Sequence, residues 1–189
     1  MNRTMAAALA ASLVIGCGGE NDTDLGELEQ DSLVEQPAPD AATANGRATL
    51  TDAQGREVGT ATLAPANGGL GIEVRVAGIA PGDHGIHVHT VGQCDAASAF
   101  ESAGAHLNPA GAQHGLDNPA GPHMGDLPNL TVGADSAGTL TQATPIAADS
   151  LFDADGSALV IHAQRDDQRT DPSGDSGDRI ACGVIERAG

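Results

Sequence analysis

The sequence predicts an all-β domain, a sandwich or a barrel, on three observations. Glycine (26 residues) and proline (10 residues) recur throughout and punctuate the chain at short intervals. Between them lie about eight short runs bearing Val, Ile and Thr and bounded by turn residues, with no long helical period. Aromatic residues are reduced to Phe100 and Phe152, so the core has to be built from Val, Ile, Leu and Ala. At 189 residues the chain supports one domain with a real core and is too short for two comfortable ones.

The first residues read as an export signal. Arg3 supplies a positive start, Met5 to Ile15 is an apolar stretch too short to span a bilayer, and Val14-Ile15-Gly16-Cys17 resembles a bacterial lipobox. Residues 1–16 are therefore expected to be a lipoprotein signal peptide, with Cys17 the lipidated mature N-terminus. Gly18 follows it, not the aspartate that retains some lipoproteins in the inner membrane. Residues 17–45 read as a disordered acidic tether, because 18–45 carries eight acidic residues, no basic ones and no apolar period. Self-repulsion extends such a linker and would hold a domain away from the surface. The expected location is extracytoplasmic, in the bacterial cell envelope (periplasm or outer membrane), with the membrane engaged only through the lipid anchor.

From Gly46 the texture changes, and residues 46–189 read as the folded domain. The runs RATLTD, EVGTATLAP, GLGIEVRVAG, HGIHVHTVG, NLTVGAD, GTLTQATPI, SALVIHAQ and ACGVIER are the candidate strands, with turns such as Asp52 to Gly55 and Asp135 to Gly138. Residues 92–127 break the pattern, since Gly, Pro, Asn and Asp prevent regular structure there. So long a loop inside a compact domain is expected to be functional.

A formal charge of -18, with lysine absent and no arginine cluster, excludes a nucleic-acid partner, because a phosphate backbone demands a basic patch. Three cysteines look odd for an exported chain, but setting Cys17 aside leaves Cys94 and Cys182 to pair in an oxidising compartment. The long loop that bridge closes is worth about 4 kcal/mol in the chain-entropy model.

The histidines carry the chemistry. Of seven, all but His84 fall into one plausible ligand set together with Asp126. His87 and His89, two apart on a β pattern, leave the same face of their strand. His84 has the opposite parity and is expected to be structural, satisfied by backbone hydrogen bonds. His106, His114, His123 and Asp126 offer four donors from one loop, a number that fits a closed tetrahedral zinc site. Imidazole suits both copper and zinc.

The segments GIHVH, AHLNP with its QHG and HMGDL continuations, VIHAQRDD and GDSGDRIACGVI resemble the copper/zinc superoxide dismutases of the exported bacterial type, over about residues 46–187. The resemblance implies a Greek-key β-barrel of eight strands with a long metal-binding loop and an active-site loop. It implies copper on His87, His89, His106 and His162, and zinc on His106, His114, His123 and Asp126, with His106 bridging the two. Asp166 matches a carboxylate that hydrogen-bonds one ligand of each metal, here His87 and His114, although Asp167 competes for the role. Arg179 matches the arginine that draws in the superoxide anion. Conversion of superoxide to oxygen and hydrogen peroxide is the implied activity, protecting the envelope, with His106 both ligand and proton carrier. Members of the family occur as homodimers and, in some bacteria, as monomers. The segment before Arg179 departs from the familiar eukaryotic pattern by being shorter and net acidic. A non-catalytic copper-binding or copper-delivery lipoprotein is the alternative, but it would have no use for Arg179 or a closed zinc site.

Overall fold

A computed structural model of the chain describes residues 45–188. The expected signal peptide, Cys17 and all of the tether except Asn45 lie outside the described residues.

Strand formation follows the alternation of apolar and polar residues. In β1 (Gly46–Asp52), Ala48 and Leu50 are buried while Arg47 and Thr49 are exposed. β2 (Glu57–Ala66) and β3 (Gly69–Ala77) form a hairpin, and β3 turns Leu70, Ile72, Val74 and Val76 inward at strict period two. The remaining strands are β4 (Gly82–His84), β5 (Ile86–His89), β6 (Leu130–Val132), β7 (Ala137–Thr144), β8 (Ala158–His162), β9 (Arg179–Val184) and the two-residue β10 (Glu186–Arg187).

All pairings are antiparallel, in the order β4-β6-β7-β3-β2-β1-β9-β8-β5, with β10 added beside β1. The two ends of that order, β4 and β5, are consecutive in the chain and separated only by Gly85, so the sheet rolls into a nearly closed barrel. The β3–β4 and β7–β8 connections each skip over neighbouring strands, which makes the topology Greek-key.

Ten strand segments replace the eight expected, for local reasons. The run HGIHVHTVG breaks at Gly85, where a Cβ would lie 2.7 Å from the Cβ of Ser176 and 3.3 Å from that of Asp166. ACGVIER breaks at Ile185, where the chain changes partner: the Ile185 N–H still donates to the Ser157 carbonyl at 2.9 Å in the β8–β9 register, and Glu186 and Arg187 pair with β1. The turn at Asp52 to Gly55 forms as expected, with the Gly55 N–H donating to the Asp52 carbonyl. The one expected at Asp135 to Gly138 lies earlier, between Gly133 and Ala137, because Gly138 already pairs with Val76. Among the described residues, helix is confined to one turn, α1 (Ala148–Leu151), and two 3-10 turns at Ala96–Ser98 and Glu101–Ala103. No helix of the described residues is long and apolar enough to cross a membrane.

Two apolar clusters hold this together. The larger fills the barrel with Leu50, Ile72, Val74, Ile86, Val88, Leu159 and Ile161 among others. A second contains Phe100, Ala103, Ala158, Val160 and Cys182, with Cys94 packed against it. Strand β8 therefore buries both faces, Leu159 and Ile161 inward and Ala158 and Val160 outward, which is why it reads as a continuous apolar run. The Cys94–Cys182 disulfide, Cα to Cα 5.6 Å, pins the covering loop to β9 across 88 residues of sequence.

Candidate metal centre

The barrel's register decides where the histidines go. Ile86 and Val88 point into the core, so His87 and His89 face out of the barrel, on the side where the long loop lies. The loop is laced to this strand. The Val88 N–H donates to the Gly125 carbonyl and the Leu107 N–H to the Val88 carbonyl, placing His106 opposite His89 and Asp126 opposite His87. On the other side, β8 ends at His162, whose register partner on β9 is Arg179 after an irregularity between Ile161 and His162. Strand pairing thus gathers residues from four distant parts of the sequence.

The ligand atoms of His87, His89, His106 and His162 lie within 4.8 Å of one another, all four residues buried. Three of these rings have one nitrogen spoken for. His87 Nε2–H donates to Asp166 Oδ2 at 2.6 Å, His89 Nδ1–H to the Gly104 carbonyl at 2.9 Å, and His162 Nδ1–H to the Gly177 carbonyl at 3.1 Å. A carbonyl oxygen only accepts, so the nitrogen facing it carries the hydrogen and the other nitrogen of a neutral ring presents its lone pair. Burial holds His87 down at about 3, against the Asp166 hydrogen bond, and holds His89 at about 2 and His162 at about 4, so the rings are neutral near pH 7. The nitrogens left over, His87 Nδ1, His89 Nε2 and His162 Nε2, together with His106 Nε2, are buried and have no hydrogen-bond partner. Four converging lone pairs without a proton between them are a cost in a metal-free fold and a ligand set for copper.

A second cluster meets the other side of His106. Asp126 Oδ1 lies 2.9 Å from His106 Nδ1, 3.0 Å from His114 Nδ1 and 3.3 Å from His123 Nδ1. The edges of a tetrahedron of N and O ligands about zinc are roughly 3.3 Å, given bonds near 2.0 Å, so the spacing fits that ion. His87 also comes within 4.8 Å of His106, His114 and Asp126. Its Nε2 is committed to Asp166, however, whereas His123 Nδ1 lies against both Asp126 and, at 3.3 Å, His106 Nδ1, so the closed set contains His123.

Asp166 joins the two clusters, accepting from His87 and, at 3.0 Å, from His114 Nε2. Unlike His87 and His106, His114 is raised: burial lowers it, but hydrogen bonds to Asp126 and Asp166 outweigh burial and take it to about 9. Asp167 is not the partner, since its carboxylate accepts from Arg169, Thr170 and the Thr170 hydroxyl in a local turn. His84 behaves as expected, its ring nitrogens contacting the carbonyls of His162 at 2.8 Å and Ala80 at 2.9 Å.

A cavity of about 650 Å³ opens onto His106 and His162 and is lined by Arg179, Glu101 and Asp178. Arg179 donates from Nη1 to the Phe100 carbonyl and from Nη2 to the Gly104 carbonyl, both at 2.8 Å, and Glu101 Oε2 lies 3.5 Å from Nη2. Gly104 thereby orients both Arg179 and His89.

Sequence reasoning missed the residues that hold these groups. Asn129 brackets Asp166 through both of its backbone groups, at 2.8 and 2.9 Å. The Gln168 N–H donates to Asp166 Oδ1 at 2.6 Å. Gly174, at φ +65°, lies where a Cβ would collide with Asp166 Oδ1 and approach His114 Nε2 to 2.8 Å. No spacing rule marks them, because the Asn129 amide acts across the fold on the Asp166 backbone, Gln168 acts through its own backbone N–H, and Gly174 acts by lacking a side chain.

Residues 57–185 match the family model described as copper/zinc superoxide dismutase. The chain is 39% identical over 147 residues to a Cu-Zn superoxide dismutase of Caulobacter vibrioides, covering 74% of this chain and 84% of that protein. It is 35% identical over 185 residues to the superoxide dismutase-like protein YojM of Bacillus subtilis, covering 94% and 92%. Among solved structures it is similar to the Cu/Zn superoxide dismutase from Brucella abortus (31% identity, TM-score 0.58, 74% of this chain and 98% of that one). It is also similar to a SOD-like protein from Bacillus subtilis (38% identity, TM-score 0.70, 74% and 97%).

Proposed function

The chain belongs to the copper/zinc superoxide dismutase family, and we propose that it converts superoxide to oxygen and hydrogen peroxide in the bacterial cell envelope. The observation that carries this reading is the quartet of buried, unpartnered nitrogens on His87, His89, His106 and His162, beside a cavity that Arg179 lines. Those four atoms would hold copper. His106, His114, His123 and Asp126 would hold zinc, with His106 common to both sets.

Copper held there would supply the one-electron chemistry by which two superoxide ions and two protons become one oxygen and one hydrogen peroxide. Arg179 binds the anion. It stays charged, it cannot ligate a metal, and two of its N–H groups are spent on fixed carbonyls, which aims the remaining donors. His106, which lines the cavity, holds and hands over a proton at Nε2. Asp166 keeps His87 and His114 in the orientation and tautomer that ligation requires.

The lipobox-like segment around Cys17 and the acidic tether support an envelope location, with a lipid anchor attaching the chain to the membrane and the tether holding the domain away from its surface. The test is to load the protein with copper and zinc and follow superoxide consumption, wild type against Arg179→Ala. The variant is expected to keep both metals and lose on the order of tenfold or more in rate, the local positive field being gone. A wild type that binds both metals and consumes no superoxide would sink the proposal.

A further inference from the structure

We propose that Asp171 is a positioning residue of the zinc site, a single carboxylate oxygen through which the loop after β8 grips two zinc ligands at once. The inference rests on the zinc assignment above. It starts from an accounting of ring nitrogens. The Nδ1 atoms of His106, His114 and His123 converge on Asp126 Oδ1, so each ring has an outer nitrogen to satisfy. For His106 that nitrogen is the unpartnered Nε2 on the copper side, and for His114 it is bonded to Asp166. For His123 the carboxylate near Nε2 is Asp171, whose Oδ1 lies 3.6 Å away.

At 3.6 Å the contact is a charge interaction and not a formed hydrogen bond. The same oxygen is anchored independently, because it accepts the backbone N–H of His114 at 2.7 Å across 57 residues of sequence. Asp171 thus touches the backbone of one ligand and the outer ring edge of another. The neighbouring Asp167 spends its carboxylate on its own turn, whereas the hydrogen bond recorded for the Asp171 carboxylate leaves its loop altogether. A carboxylate with half its side-chain surface in water has no need of such a partner for its own solvation, so the contact serves the residues it reaches. Carboxylates on the outer nitrogen of ligating histidines fix ring orientation and raise ligand basicity, and losing one typically costs about 10- to 100-fold in metal affinity.

The experiment measures zinc affinity of the whole protein by chelator competition, and the d–d spectrum of cobalt(II) placed in the zinc site, for wild type, Asp171→Asn, Asp171→Ala and His123→Ala. Asp171→Ala is expected to weaken zinc by about tenfold and shift the cobalt spectrum. Asp171→Asn, which keeps an acceptor for the His114 N–H but not the charge near His123, should fall between Ala and wild type. Copper affinity should stay within about twofold of wild type in both, since Asp166 and its bonds to His87 are intact. Zinc affinity within twofold of wild type together with an unchanged cobalt spectrum in Asp171→Ala overturns the role of Asp171 alone. A wild type that does not bind zinc, or a His123→Ala that binds it as well as wild type, overturns the zinc assignment and this inference with it.

Discussion

Two carbonyl oxygens and one carboxylate decide which nitrogen of His89, His162 and His87 is left open: those of Gly104, Gly177 and Asp166. The carboxylate is the one a substitution can remove without moving the backbone. In Asp166→Asn a single amide oxygen has to serve both the His87 and His114 rings, and the amide N–H faces a ring nitrogen that is itself a donor. The expected result is a 10- to 100-fold loss of affinity for at least one metal, read by metal quantification after dialysis against a chelator. Wild-type retention of both metals would show that the rings are oriented by packing alone. At this scale the sequence was a good guide to the side chains that converge and a poor one to their supports. His87, His89, His106, His114, His123, Asp126 and His162 are legible because ligand chemistry restricts residue type. Asp166 and Asp167 were not separable, since only the turn that captures the Asp167 carboxylate distinguishes them. Asn129 was illegible, because an asparagine one residue before a strand reads as an ordinary strand boundary.

At the scale of elements, β5, the long loop after it, the end of β8 and the loop that follows β8 carry the site, on the outside of the barrel. The alternating pattern of β1 and β3 made those strands readable, while the break at Gly85 was hidden because GIHVH continues the alternation straight through it. At Gly85 the chain changes partner from β6 to β8, and it passes so close to Ser176 and Asp166, more than 70 residues on, that a Cβ would not fit; no local pattern records that. The disulfide belongs to the same outer layer. It ties the segment bearing Phe100 and Gly104, whose carbonyls hold Arg179, to the strand that Arg179 opens. Reducing Cys94–Cys182 is therefore expected to lower stability by about 2 to 4 kcal/mol, seen as a lower denaturation midpoint. It should also slow superoxide consumption before metal is lost, because Arg179 loses its fixed carbonyls. An unchanged midpoint in reductant would refute the stabilising role. Gly174→Ala tests the loop itself: the added methyl meets Asp166 and His114 at a backbone conformation that disfavours any side chain. Metal affinity should fall while the barrel, which Gly174 does not touch, still folds by circular dichroism. Full metal occupancy under chelator would show that the loop relaxes freely.

For the whole molecule, the site makes the metal-free fold depend on pH in both directions. His87, His89 and His162 have folded values of about 3, 2 and 4 against an ordinary 6.5, the result of burial, and His106 is lowered for the same reason. As pH falls below 6.5 the unfolded chain takes up protons at these positions and the folded chain does not, so stability drops on acidification. His114 runs the other way. Burial alone would lower it, but Asp126 and Asp166 hold its proton until about 9, while the unfolded chain releases that proton near 6.5. Stability is thus lost again as pH rises from 6.5 towards 9. At least three protons separate the two states on the acid side and one on the alkaline side. The metal-free domain should accordingly show its highest Tm near pH 6 to 7, with an acid limb steeper than the alkaline one. Loading with zinc removes the alkaline limb, because a ligating His114 has already given up its proton in the folded state. Thermal melts from pH 4.5 to 9, with and without zinc, check both statements. A metal-free Tm that keeps rising from pH 7 to 9 would mean that His114 does not hold a proton between the two carboxylates.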